Sequence, residues 1–128
     1  MRTTQRKGDI ATSRAIATFT AMGFDVSIPV TESAAYDLVL DDGRQLARLQ
    51  CKFVSDRRRQ VDLRRIHSNS SGYVVKRTTV GSYDWLYVLD GANAEYLIKE
   101  CLAGRRSVTL QDAHKLGAVA ESGRLQLP

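Results

Sequence analysis

The sequence predicts an α+β (mixed α/β) fold, with one central mixed sheet flanked by helices. Three observations carry this reading. Apolar residues near the N-terminus recur at helical spacing, two alternating segments meet at an Asp-Gly turn, and a later apolar run is followed by a second Asp-Gly turn and a returning strand. At 128 residues, residues 1–128 form one domain large enough to bury a core without disulfides or metal staples.

Residues 9–22 read as the first helix. Ile10, Ala15, Ile16, Phe19 and Met22 mark its apolar stripe, and Gly23 stands where a helix C-cap is expected. Val26 and Ile28 open a short strand limited by Pro29. Residues 36–41 and 46–53 form a hairpin around Asp42-Gly43, a strong local signal. Val61, Leu63 and the residues around Ile66 read as a strand or a short helix, with the strand preferred, and 67–72 as a polar loop. Residues 85–89 have the apolar run of a central strand, with Trp85 and Tyr87 as core residues. After Asp90-Gly91 the chain returns at 95–98. Thr109 with Asp112 resembles the start of a short helix ending near Gly117, and little pattern follows from Ala118.

Composition narrows the functions. No apolar run approaches the roughly 18 residues of a membrane span, and the N-terminus lacks a signal-peptide core, so the expectation is a cytoplasmic protein without a membrane partner. Two cysteines, Cys51 and Cys101, and two histidines, His67 and His114, stand too far apart for zinc-ligand spacing. The cysteines read as small buried hydrophobes. A net charge of +5, from 19 basic and 14 acidic residues, favours a polyanionic partner. Basic residues gather in 57–77, whereas acidic ones gather in 32–42 and 84–100. Arg57, Arg58, Arg59, Arg64, Arg65, Lys76 and Arg77 are therefore candidate phosphate contacts, with Ser68 and Asn69 as neutral hydrogen-bonding partners.

The strand 46–53 carries the candidate chemistry. Alternation puts Ala47, Leu49, Cys51 and Phe53 on one face, and Arg48, Gln50 and Lys52 on the other. Phosphodiester hydrolysis assisted by Mg²⁺ or Mn²⁺ needs oxygen ligands and a cation near water or phosphate. Asp37 offers a carboxylate, Gln50 an amide oxygen, Cys51 its backbone carbonyl, and Lys52 a positive charge. Thirteen positions separate Asp37 from Gln50, which lets the start of one hairpin strand meet the end of the other.

Lys7-Gly-Asp-Ile, Gly23-Phe-Asp-Val-Ser-Ile-Pro, Tyr36-Asp-Leu-Val, Leu49-Gln-Cys-Lys and Asp84-Trp-Leu-Tyr-Val together resemble the PD-(D/E)XK nuclease superfamily. The resemblance is to its branch of small group I intron homing endonucleases with Gln-x-Lys, and runs from about Lys7 to about Ile98. It implies a restriction-endonuclease-like core, metal-dependent cleavage of double-stranded DNA, and a homo-oligomer, dimer or tetramer. It also implies Asp37 as metal-binding Asp, Gln50 in place of the usual acid, and Lys52 as the catalytic Lys. Tyr36 stands where the namesake motif has Pro. Thr12 occupies a helix position where the family often has Glu, so one expected carboxylate is absent. Asp9 and Glu32 are candidates to replace it, although the hairpin spacing aligns neither. Two readings stand beside cleavage by a homing-type enzyme: a nuclease of junction-resolvase type, and a decayed nuclease fold that binds DNA without cutting it.

Overall fold

The computed structural model describes residues 3–55, 59–63, 65–69, 72–76, 82–102 and 104–121. A long helix, α1 (Thr3–Ala21), precedes strands β1 (Asp25–Ser27), β2 (Leu38–Asp41) and β3 (Leu46–Val54). Three further strands follow, β4 (Gln60–Asp62), β5 (Arg65–Asn69) and β6 (Gly72–Lys76), then β7 (Trp85–Asp90), β8 (Glu95–Ile98) and β9 (Ser107–Thr109). A 3-10 turn at Asp112–His114 leads into α2 (Leu116–Glu121). The central sheet has the order β1-β2-β3-β7-β8; β3 and β7 are parallel and the other neighbours antiparallel, so it is a mixed sheet as expected. β4–β9 and β5–β6 form two separate two-stranded sheets.

α1 ends at the residues expected but starts earlier than residue 9. Gly23 has φ 98°, a left-handed conformation that costs glycine little. There its amide donates to the Thr20 carbonyl at 3.0 Å, and the Phe24 amide to the Phe19 carbonyl at 3.0 Å. Phe24 then packs edge-on against Phe19, with ring centroids 5.7 Å apart, so the cap also fixes the helix on the core. The buried stripe is Ala11, Ala15 and Phe19, one every four residues. Ile10 and Met22 fall outside it, 45% and 40% exposed, and Ile16 is half-buried at its margin. The small alanines let the helix lie close to the sheet, an advantage that a hydrophobicity pattern undervalues.

The hairpin turn forms at Asp42-Gly43. The Asp42 carboxylate accepts from the Arg44 and Gln45 amides at 2.8 Å each, and Gly43 takes φ 92°. β2 begins at Leu38 rather than at 36, which leaves Asp37 just before the ladder. Alternation in β3 is as expected. Ala47, Leu49 and Cys51 are buried against α1 with Leu38, Leu40, Trp85 and Tyr87, and Phe53 packs partly against them. On the opposite face Val54, Leu86, Val88 and Ile98 meet Val61, Leu63, Val108 and Leu110 from the β4–β9 ribbon. The sheet is thus covered on both sides, with buried apolar side chains contributing about 1.5–3 kcal/mol each.

Two expectations about elements are overturned. Four of the residues expected in a loop at 67–72 lie in strands: His67, Ser68 and Asn69 in β5 and Gly72 at the start of β6, paired Asn69↔Gly72, while 70 and 71 lie outside the described residues. The run His-Ser-Asn-Ser-Ser has no apolar alternation, so periodicity alone misreads it. Thr109 does not start a helix. It ends β9, paired with Gln60, and α2 begins at Leu116, close to where the expected helix was to end. A strand of three residues whose partner lies some fifty positions earlier leaves no local signal.

Candidate active site

Asp37 is held by β3 through both its backbone and its side chain. Its amide donates to the Leu49 carbonyl at 2.8 Å, and its Oδ2 accepts the Cys51 amide at 2.7 Å. The carboxylate therefore stands in for the backbone carbonyl that a longer β2 would supply. In an extended strand the N–H and C=O of one residue point to the same edge, so the Cys51 carbonyl also faces the Asp37 side. Gln50 and Lys52 are half-buried on the sheet face away from α1, beside Leu86 and Val88 of β7. Asp37 immediately precedes Leu38 of the Leu38↔Leu49 pair, which brings it to the same end of the ladder as Gln50.

The α1 side of Asp37 opens on a cleft of about 680 Å³ whose walls include Asp9, Thr12, Tyr36 and Glu32. Thr12 is half-buried there, whereas Asp9 and Glu32 are exposed. Both carboxylates weighed as replacements for the missing one share a cleft with Asp37. Gln50 and Lys52 do not line this cleft; alternation in β3 puts them on the other face of the sheet. Among the described residues no three Asp, Glu, His or Cys side chains stand close enough together to hold a metal by themselves.

The donors do fit a hard divalent cation. They are oxygens: the Asp37 carboxylate, the Cys51 carbonyl and the Gln50 amide. Among the described residues lining the cleft no soft ligand competes. Burial pushes the Cys51 thiol well up, the Asp37 charge adds to this, and a Thr12 hydrogen bond opposes it only in part. The thiol thus stays protonated and acts as a core residue, 8% exposed. Asp37, Gln50 and the Cys51 backbone would hold the ion.

Arg48 is a supporting residue that motif reading passed over. It lies two residues before Gln50 on the same face. Its Nε and Nη2 each reach the Asp84 carboxylate at 3.2 Å, and its own amide donates to Asp84 at 2.8 Å. Its guanidinium also lies over the Tyr36 ring, 5.9 Å from the centroid. This side chain therefore braces β3, the start of β7 and the residue before Asp37. Period-two alternation from Gln50 was the available signal; the Asp84 partner, 36 positions away, had none.

Of the candidate phosphate contacts, Arg59 is exposed and pairs with Asp112 at 3.1 Å. Arg65, Ser68, Asn69 and Lys76 are placed by the backbone of β5 and β6. Arg57, Arg58, Arg64 and Arg77 lie outside the described residues. Of the histidines left without a role, His114 accepts the Gln111 amide through Nδ1 at 3.1 Å. Among the described residues no helix is long and apolar enough to cross a membrane.

Comparison with known proteins gives the family and the fold. A family model described as PD-(D/E)XK endonuclease matches residues 2–114. No curated protein matches the chain. Among solved structures, a bacterial homing endonuclease, I-Ssp6803I, superposes with a TM-score of 0.70 at 20% identity, covering 97% of this chain and 99% of that one. At that identity the likeness establishes the fold, a restriction-endonuclease-like core.

Proposed function

Because the chain belongs to the PD-(D/E)XK endonuclease family, which places it among the DNA endonucleases, we propose that it hydrolyses double-stranded DNA in a reaction dependent on Mg²⁺ or Mn²⁺. The observation that carries this reading is the 2.7 Å bond from the Cys51 amide to the Asp37 carboxylate, which holds the acid against the Gln50-Cys51-Lys52 strand. A divalent ion bound there supplies a Lewis acid for a phosphoryl oxygen and lowers the pKa of water. Asp37 contributes negative charge to the site, Gln50 a neutral oxygen, and Cys51 its backbone carbonyl. Lys52 orients the attacking water or stabilises charge on the phosphate. Arg57, Arg58, Arg59, Arg64, Arg65, Ser68, Asn69, Lys76 and Arg77 contact the DNA backbone.

One nuclease domain, residues 1–128, offers one active site, so cutting both strands requires a second subunit in a dimer or tetramer. Cys51 and Cys101 are not joined in a disulfide, which suits the cytoplasm. A second reading, DNA binding without cleavage, is favoured by Thr12, which removes a carboxylate from the cleft; it is separated from the first by experiment.

Purified protein incubated with supercoiled plasmid and Mg²⁺ or Mn²⁺ is expected to nick it. Asp37→Asn, which keeps an acceptor for the Cys51 amide, and Lys52→Ala are each expected to slow nicking about 100-fold or more while retaining DNA binding. Binding without nicking, across linear, supercoiled and branched substrates, would establish the second reading. Nicking unchanged in both variants would remove the assignment of the site.

A further inference from the structure

The ladder of β2 and β3 goes out of step at residue 37. The register pairs Leu38 with Leu49, yet the Asp37 amide also donates to the Leu49 carbonyl at 2.8 Å. Two successive residues thus address one, the arrangement of a β-bulge, which re-aims a side chain. Here the re-aimed group is the Asp37 carboxylate, set on the Cys51 amide at 2.7 Å. Residues 28–37 belong to no helix or strand, so the ladder holds this carboxylate from one side only. Its direction therefore depends on what fixes Tyr36.

Arg48 reaches Tyr36. Its guanidinium lies over the Tyr36 ring, 5.9 Å from the centroid, within the range of a cation–π contact. The Tyr36 ring is partly buried against Val54, Leu86 and their neighbours, and the residue also lines the cleft of Asp37. The guanidinium is itself held in place, because Nε and Nη2 each bond the Asp84 carboxylate at 3.2 Å. Asp84 is in turn locked to the Arg48 backbone: it accepts the amide at 2.8 Å and donates its own amide to the carbonyl at 2.9 Å.

The two aspartates stand in matching positions. Asp37 directly precedes β2 and Asp84 directly precedes β7, and each carboxylate accepts an amide of β3. β2 and β7 flank β3, so the two acids grip that strand from opposite edges. Arg48 runs from one of them to the residue beside the other. With its charge matched by Asp84, its planar fork is better suited to a rigid support than to a free phosphate-binding cation.

Resting on the reading of the chain as a metal-dependent nuclease, we propose that Arg48 is a positioning residue. Ion-paired to Asp84, it pins the Tyr36 ring and so keeps the bulge that holds the Asp37 carboxylate on the Gln50-Cys51-Lys52 strand.

The test compares Arg48→Met, Tyr36→Leu, Tyr36→Phe and the double variant Arg48→Met/Tyr36→Leu with the parent, all as full-length protein. Nicking rates at varied plasmid concentration separate kcat from KM. Anisotropy of a labelled duplex, followed as Ca²⁺ is titrated, gives a midpoint for the ion without cleavage. Arg48→Met and Tyr36→Leu should each lower kcat and raise the Ca²⁺ midpoint about 10-fold, with KM within about twofold of the parent. Tyr36→Phe, which keeps the ring, should stay within about twofold in all three. The double variant should be no slower than the slower single one, because both changes break one contact. Circular dichroism at the assay temperature checks that each variant is folded. Where Arg48→Met is not, Tyr36→Leu against Tyr36→Phe carries the test.

Four outcomes overturn the inference while a nicking parent leaves the proposed function standing. They are a raised KM with kcat unchanged, a kcat and Ca²⁺ midpoint unchanged in both single variants, losses that multiply in the double variant, and a Tyr36→Phe as slow as Tyr36→Leu. A parent that nicks DNA with no divalent ion overturns the proposed function and the inference together.

Discussion

Asp84 and Arg48 illustrate how much a single pair can organise beside the site. Burial alone would raise the Asp84 carboxyl, but hydrogen bonds from the Arg48 side chain and amide outweigh it, and the group is held below the usual carboxylate range. A carboxyl with a lowered pKa in the fold stabilises it fully above the unfolded-state value and loses that contribution as pH falls through the folded one. Wild-type stability should therefore decline between about pH 5 and pH 2, and Asp84→Asn should flatten part of that decline while lowering stability at neutral pH. Urea unfolding across pH measures both. Identical pH slopes in the two proteins would show that the pair contributes nothing. With 36% and 37% of the two side chains exposed, solvent screening keeps the effect modest.

α1 shows how two glycines of one element have opposite meanings. Gly8 sits inside the helix on an exposed stretch, and a Cβ added there meets nothing within 4 Å. Gly8→Ala should stabilise the protein by about 0.5–1 kcal/mol through helix propensity and a less free unfolded chain. Gly23 is at φ 98° in the C-cap, where a side chain is strained whatever space surrounds it. Gly23→Ala should destabilise by about 1 kcal/mol or more. Thermal melts of the two variants should thus move in opposite directions, and shifts of the same sign would contradict this account of the helix. The end of α1 was legible because glycine punctuates locally. Its start was not, because residues 4–10 are exposed and carry no apolar period.

At the scale of the whole molecule, Glu95 fastens the helix to the sheet. Its Oε2 accepts from the Thr18 hydroxyl at 2.6 Å and the Tyr87 hydroxyl at 2.7 Å, and Oε1 meets Arg14 at 3.4 Å. One carboxylate, 16% exposed, so joins α1, β7 and β8. Tyr87 is fully buried, so its hydroxyl would lose its partner inside the core. Glu95→Ala should cost about 2–4 kcal/mol by chemical denaturation, and Glu95→Gln, which keeps an acceptor, distinctly less. A Glu95→Ala change within about 0.5 kcal/mol would put the helix-to-sheet attachment in the apolar contacts alone.

By itself the sequence determined the hairpin of β2 and β3, the two faces of β3, the core strand β7 and the placing of Asp37 beside the strand that carries Gln50, Cys51 and Lys52. Each rests on local physics: turn chemistry at Asp42-Gly43, period-two alternation, and a short interval between a carboxylate and a strand. Tertiary structure alone decided that the Asp37 carboxylate caps the Cys51 amide, and that Thr12, Asp9 and Glu32 line one cleft with Asp37 while Gln50 and Lys52 do not. It also decided that Arg48 braces β3 against Asp84, and that 65–69 and 72–76 pair as strands. These depend on partners far along the chain or across the sheet, and side-chain periodicity records which face a residue takes, not what it meets there.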